Sequence, residues 1–270
     1  MNINDRGRKP KTKKIDIYRE SDVIQFKGSK QYNLKDKVVF DSELIIKIDN
    51  KLVGKLICLP NDIEFLGWGF LLTGGWIKSI EDVKSFNLKG NMLKVELSSK
   101  KKAELSSILL GCGKEIIFKS QNSSEINQIK KNKKNPKGLI SPQDIINIMK
   151  QFQKADIVHK ETGGTHSAGI GYKNELLFSI SDVSRHSAIQ KVIGKIFLEK
   201  IPAEDKIVVT TGRISSDMVL ACAEISISTI ISKSAPIFSA IERAKEKEIT
   251  LIGFVRGERL TCFSGCERIG

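Results

Sequence analysis

A two-part α/β protein is predicted by three features of this 270-residue sequence. Residues 37–59 carry β-branched runs that break at Asp49-Asn50, as a hairpin does. The stretch 120–140, rich in Ser, Asn, Gln, Lys and Gly, separates two differently patterned halves. From Ser141 onward, short apolar runs alternate with helix-length segments, the pattern of a sheet covered by helices. The expected division is a basic tail and lead-in over 1–34, a smaller, mainly β domain over 35–120, a lysine-rich linker over 121–140 and an α/β domain over 141–270.

Element by element, the hairpin of 37–59 is followed by a segment opening on the cap-friendly pair Asn61 and Asp62. It carries Phe65, Leu66, Phe70 and Leu71 at helical spacing and stops at Gly74-Gly75. Further strands are expected near 91–98 and 115–119. In the second half, Ser141-Pro142-Gln143-Asp144 supplies an N-cap, a proline at the first helical position and an acid in the first turn. Then come ELLFSI as a strand, RHSAIQKVIGKIFLEK as a helix, KIVVTT as a strand, SSDMVLACAEISIST as a helix, the short apolar IISKSAP, the helix IFSAIERAKEKE and the strand ITLIGFV.

The net charge of +14 first suggests a polyanionic partner, so its distribution matters. Residues 1–14 and 126–140 each carry +5, which leaves +4 for everything else. The excess sits in a tail and a loop-like segment rather than along a helix or an aromatic-bearing sheet, so no nucleic-acid partner is expected. The N-terminal MNINDRGRKPKTKK has no apolar stretch behind its charges, and nowhere do about 18 uncharged apolar residues run together. The reading is a cytoplasmic protein with no membrane association.

Five cysteines, Cys58, Cys112, Cys222, Cys262 and Cys266, stand at irregular spacing and read as reduced thiols. Cys58 and Cys222 lie in apolar contexts and read as core fillers. Cys112 lies between glycines, two residues before Lys114, whose ammonium favours the nucleophilic thiolate. A small buried thiol in a tight turn is the alternative. Cys262 and Cys266 read as unconnected thiols, a redox pair, or part of a mixed site with one histidine. No second paired cluster completes a zinc site, so no structural metal is expected.

Three loops offer donors to anionic oxygens. TGGTHSAG places Gly163, Gly164 and Gly169 around His166, and SDVSRHSA brings Arg185 and His186 close to Asp182. In TTGRISSD, Gly212 and Arg213 precede Ser215 and Ser216 at the opening of a helix. FVRGER, from Phe254 to Arg259, adds two arginines around a glycine. Recurrence at strand-to-helix junctions points to a phosphate-rich ligand; the competing reading has the basic residues pairing with Asp182 or Asp217. Zinc deaminase chemistry is excluded, because residue 168 is Ala and no Cys pair stands at two-residue spacing. A dinucleotide-binding GxGxxG is also absent.

In their order along the chain, GCGKE, TGGTHSAG, DVSRHSAIQKVIG, TTGRISSDMV, SKSAP and GFVRGER resemble the formate dehydrogenase accessory sulfurtransferase family, the FdhD family, over about residues 35–263. The resemblance implies a C-terminal cytidine deaminase-like three-layer domain without the zinc site. It implies sulfur accepted as a persulfide from a cysteine desulfurase and passed to the metal of a molybdenum or tungsten bis(molybdopterin guanine dinucleotide) cofactor. The catalytic subunit of a formate dehydrogenase is the implied client, and a homodimer the implied assembly. Cys112 matches the second cysteine of the family's Cys-x-x-Cys loop, while Leu109 stands where many members have the first. Cys112 is therefore expected to carry the persulfide. Phe254, Val255, Arg256, Gly257, Glu258 and Arg259 match the cofactor-binding segment, with the arginines on phosphates and Phe254 on a guanine or pterin ring. Gly163, Gly164, His166, Arg185, His186, Gly212, Arg213 and Ser215 are expected to complete the site. A chaperone that binds and inserts the same cofactor without moving sulfur is the rival reading.

Overall fold

A computed structural model describes residues 17–98, 108–110 and 139–270. Cys112, Lys114, the strand expected at 115–119 and most of the lysine-rich linker lie outside the described residues. Among the described residues, no helix is long and apolar enough to cross a membrane.

The chain opens with a ribbon that the sequence did not announce. Strands β1 (Tyr18–Lys27) and β2 (Lys30–Val39) pair antiparallel along their whole length, across ground expected as a lead-in. Their side chains are mostly exposed, so no apolar alternation betrays them. Backbone pairing and cross-strand contacts hold them together: Glu20 faces Lys37, Asp22 faces Lys35, and the Lys37 ammonium lies 4.7 Å from the Tyr18 ring centroid.

Next, β3 (Ser42–Ile48) and β4 (Lys51–Cys58) form the expected hairpin, turning through Asp49 and Asn50, both at positive φ. With β5 (Val83–Lys89), β6 (Met92–Leu97) and β7 (Ile108–Leu110) they make a five-stranded sheet in the order β5-β6-β3-β4-β7. Helix α1 (Ile63–Thr73) crosses over from β4 and ends at Gly74. It is apolar all round because it is covered on both sides. One side meets the sheet, where Trp68 stacks on Phe86 at 4.5 Å. The other meets a helix of the second half.

That half begins with α2 (Pro142–Ala155), whose N-cap Ser141 accepts a hydrogen bond from the Gln143 amide at 3.2 Å. Ser141→Ala is expected to cost about 1 kcal/mol, read as a lower urea midpoint at unchanged slope. After α3 (Ile157–Thr162), the elements are β8 (His166–Tyr172), β9 (Glu175–Asp182), α4 (Arg185–Leu198), β10 (Lys206–Thr210), α5 (Ser216–Glu224), β11 (Thr229–Ser232), α6 (Phe238–Glu246), β12 (Thr250–Arg256) and β13 (Arg259–Ser264). The six-stranded sheet runs β13-β12-β11-β10-β8-β9, with β10, β11 and β12 parallel and β8 antiparallel to its neighbours.

The sheet is covered on both faces, and its side chains alternate accordingly. Ile207, Val209, Ile231, Ile252 and Val255 pack against Ile145, Ile148, Met149 and Phe152 of α2. Val208, Ile230 and Leu251 face the other way, into a core shared by α4, α5, α6, α1 and the five-stranded sheet. A single apolar core thus joins the two halves. The closest approach is between α1 and α4, where a Cβ on Gly69 would lie 1.9 Å from the Gln190 carbonyl oxygen and one on Gly194 1.9 Å from that of Phe65.

Two expectations need correction here. TGGTHSAG, read as a loop, runs into β8 from His166 onward, a strand paired on both sides. Gly169 serves packing rather than an anion, since a Cβ there would lie 2.5 Å from the Phe178 carbonyl oxygen; at Gly171, farther along β8, one would lie 2.8 Å from Ile148 Cδ1. The thiols read as reduced include a bonded pair, since Cys262 and Cys266 form a disulfide with Cα atoms 5.7 Å apart across Gly265 at φ +66°.

Candidate active site at the carboxyl edge of the six-stranded sheet

Because β10, β11 and β12 run parallel and β8 antiparallel, one edge of the sheet collects the carboxyl ends of β9, β10, β11 and β12 and the start of β8. The N-termini of α4, α5 and α6 open on the same edge. An open α/β sheet offers its ligand crevice there, with partial positive charge from the helix ends.

The residues singled out in sequence converge on that edge as two groups. The first surrounds the end of β10. His166 Nδ1 lies 3.4 Å from Thr211 Oγ1, which also accepts from the Ser167 amide at 3.0 Å. The Gly212 amide donates to Thr210 Oγ1 at 3.2 Å, and Ser232 Oγ donates to the Gly212 carbonyl at 2.7 Å. Gly212 has to be glycine because Arg185 lies across it, its Cβ 2.9 Å from where a Gly212 Cβ would sit. Arg185 Nε is buried without a hydrogen-bond partner, a donor held at the edge and not consumed by the fold. Arg213 is exposed, and Ser215 is the N-cap of α5.

The acids do not neutralise the arginines. Asp182 is bonded to Lys191 at 2.7 Å, and Asp217 to His186 Nε2 at 3.1 Å. Burial, the largest single influence, raises the Asp217 carboxyl, but His186, the Ser215 hydroxyl and the local backbone amide together hold Asp217 below its ordinary range. Gly163 caps α3 at φ +66°, and Gly164 lies under Val39 of the ribbon, where a Cβ would be 2.6 Å from Val39 Cγ2. The ribbon thus rises from the rim of this group, tied also by the Lys37–Glu161 ion pair at 3.0 Å.

His166 is pushed below its ordinary 6.5 by burial first, then by the Arg185 guanidinium and by His159 and His186. The folded chain therefore binds fewer protons at this group than the unfolded chain just below pH 6.5. Stability from His166 is full above that pH and falls as pH drops toward the folded midpoint. In an NMR titration the His166 midpoint is expected below 6.5, and in Arg185→Ala it is expected to move up.

The second group is the β12–β13 hairpin. Phe254 adopts φ +53° at a bulge, its amide donating to the Ser234 carbonyl at 3.0 Å. Its ring is half-buried, and the guanidinium groups of Arg256 and Arg259 each lie 5.9 Å from its centroid. Arg256 Nε donates to the Lys233 carbonyl at 3.0 Å. Gly257 makes the turn at φ +58°, and Glu258 bonds Lys150 of α2 at 2.7 Å. Val255 is 1% exposed and packs into the α2-side core, so it anchors the hairpin rather than lining its open face. The ends of β10 and β12 are two strand spacings apart, about 10 Å, a span suited to an extended ligand.

The profile of the FdhD/NarQ family matches residues 39–270. The chain belongs to the FdhD/NarQ family. It is similar to proteins named sulfur carrier protein FdhD from Bacillus licheniformis (31% identity, covering 92% of this chain and 95% of the relative) and Staphylococcus haemolyticus (31%, covering 94% and 97%). Its fold is shared with a formate dehydrogenase accessory protein from Desulfotalea psychrophila, described as putative in that structure's name, at TM-score 0.75 and 24% identity, covering 94% of this chain and all of that one.

For this FdhD/NarQ family member, the thiols divide sharply. Cys58 and Cys222 are fully buried core fillers whose thiols burial pushes up to about 12, so they carry almost no thiolate at neutral pH. The Cys262–Cys266 disulfide lies beside Gly265, which packs on Thr250. Cys262 lies opposite Ile252 in the middle of β12, next to Phe263, whose ring is 6.2 Å from that of Phe254, but the bond to Cys266 leaves neither sulfur as a free thiol. Sequence reasoning missed Lys191 and Phe238. Phe238 is 75% exposed at the start of α6, beside the same edge. The signal for Lys191 was there: a lysine on the apolar face of RHSAIQKVIGKIF.

Proposed function

We propose that this chain is a sulfur carrier in formate dehydrogenase maturation that accepts persulfide sulfur from a cysteine desulfurase at Cys112. From there sulfur passes to the molybdenum or tungsten of a bis(molybdopterin guanine dinucleotide) substrate held at the carboxyl edge. The observation that carries the reading is Arg185: its aliphatic stem lies across Gly212 at the carboxyl edge, and its Nε is buried and unpartnered. An anionic phosphate arm supplies what that donor lacks. Phe254, flanked by Arg256 and Arg259, offers a ring face for a guanine or pterin.

The direction of the strands supports delivery. β7 runs parallel to β4, with Leu110 opposite Leu56, and leads on toward Cys112 two residues later. The end of β4 touches the edge directly, since the Leu59 amide donates to Asp182 at 3.2 Å. In the first step the Cys112 thiolate attacks the outer sulfur of the donor persulfide; a new S–S bond forms at Cys112 while the donor leaves as its thiolate. The finer fold reading, a cytidine deaminase-like C-terminal part, is supported by its three layers of α2, sheet and α4–α5–α6.

Mass spectrometry after incubation with a desulfurase and cysteine tests the reading. A persulfide adduct on Cys112 that dithiothreitol removes is the expected result. Tight binding of the cofactor with no sulfur on any cysteine would replace the carrier by a cofactor chaperone.

A further inference from the structure

Where the two halves meet at the carboxyl edge lies a fully buried ion pair that the sulfur chemistry does not use. Lys191 of α4 and Asp182 at the end of β9 are both 0% exposed, with Nζ and Oδ2 2.7 Å apart. Their remaining hydrogen bonds go to one residue of the first half and one of the second. Lys191 Nζ donates to the Leu59 carbonyl at 3.1 Å, and the Leu59 amide donates to Asp182 Oδ2 at 3.2 Å. Asp182 Oδ1 accepts from the amide of Ser184, the N-cap of α4, at 3.0 Å. Beside this knot Ser187 Oγ donates to the Ile57 carbonyl at 3.3 Å.

An apolar pair of similar volume would hold the halves together about as well, because replacing buried ion pairs by hydrophobic residues is often neutral or stabilising. Apolar contact is non-directional, however, and permits sliding. The knot instead fixes both polar groups of Leu59 against the residue that sets the start of α4. Leu59 follows β4, beside the strand leading to Cys112; Ser184 precedes Arg185 and His186.

We infer that Lys191 and Asp182 are positioning residues that set the separation between the Cys112 side of the chain and the ligand-holding edge, and so control sulfur transfer without touching sulfur or ligand. The inference rests on the sulfur-carrier reading. It predicts a split that a merely structural role does not produce: loading and ligand binding survive while transfer fails.

The full-length chain is compared with Lys191→Met and with the double variant Lys191→Met/Asp182→Asn, which leaves no lone buried charge should the single variant fold poorly. Hydrogen exchange is expected to accelerate in peptides containing Leu59 and Ser184 and to stay unchanged in β10–β12. Persulfide uptake at Cys112 and affinity for guanosine diphosphate, used as a probe of the nucleotide arm, are expected to stay near those of the unaltered chain. Activation of formate dehydrogenase is expected to fall about ten-fold or more, the scale set by an ångström of misplacement. A folded double variant that activates formate dehydrogenase as well as the unaltered chain overturns the inference, as does a loss of uptake, affinity and activation all in proportion. If the unaltered chain takes up no sulfur at Cys112, the carrier reading falls on its own. Hydrogen exchange then decides the anchor: unchanged exchange at Leu59 and Ser184 overturns it, and local acceleration upholds it.

Discussion

Gly194→Ala is expected to lower the unfolding free energy by about 3 kcal/mol or more, the upper end of what overpacking costs. The added methyl would start 1.9 Å from the Phe65 carbonyl oxygen and 2.8 Å from the Gly69 amide nitrogen, both backbone atoms that no rotamer change can move aside. Helices α1 and α4 must separate by more than an ångström, and that opens the core on either side of the contact. Gly69→Ala meets the Gln190 carbonyl oxygen at the same distance and is expected to cost a similar amount. The pair should be strongly non-additive, because the first substitution already parts the helices. Gly75→Ala is the control: it has positive φ but nothing within 4 Å, so only about 1 kcal/mol of backbone strain is expected. Urea unfolding of the four variants measures the set. Equal losses at Gly75 and Gly194 would remove the case for a backbone contact between the halves.

That contact also shows what the sequence could tell. The Asp49-Asn50 turn, the Gly74 stop and the Ser141-Pro142 start were legible because each rests on local chemistry: positive φ, a helix-ending glycine, a side-chain cap. The strand–helix alternation after Ser141 was legible because covering a sheet on both faces demands apolar runs. The β1–β2 ribbon was not, since its residues are solvated on both faces and its pairing comes from the backbone. β8 was misread because its glycines mimic a loop, whereas Gly169 and Gly171 are needed where Phe178 and Ile148 come close. Those approaches are long-range and leave no local trace.

The candidate site was half legible. Glycines and hydroxyls beside Arg185, Gly212 and Ser215 marked the edge, because strand-to-helix junctions need such residues to present backbone donors. Partner choice was not. Asp182 lies three residues from Arg185 in sequence yet bonds Lys191, because the strand end points its carboxylate inward under α4, where the sixth residue after Arg185 arrives. The consequence is functional: with Asp182 and Asp217 taken by Lys191 and His186, the arginines of the edge keep their charge for a ligand.

Cys112→Ser is expected to abolish sulfur loading and reduce formate dehydrogenase activation to background. A hydroxyl has no thiolate at neutral pH with which to attack a persulfide, and a serine cannot hold a terminal sulfur through an S–S bond. No other thiol is placed to take over. Cys58 and Cys222 are sealed in the core with thiols pushed up to about 12, and Cys262 and Cys266 are bonded to each other. Residue 109, three before Cys112, is a leucine, so no neighbouring thiol shares the burden. Binding of guanosine diphosphate should be unchanged in the variant, because the proposed nucleotide site is the edge and not the thiol. This combination separates carrier from chaperone. Retained activation in Cys112→Ser, with labelled sulfur absent from the chain, would leave the protein holding the cofactor without moving sulfur, and the arginines at the carboxyl edge would then account for its whole activity.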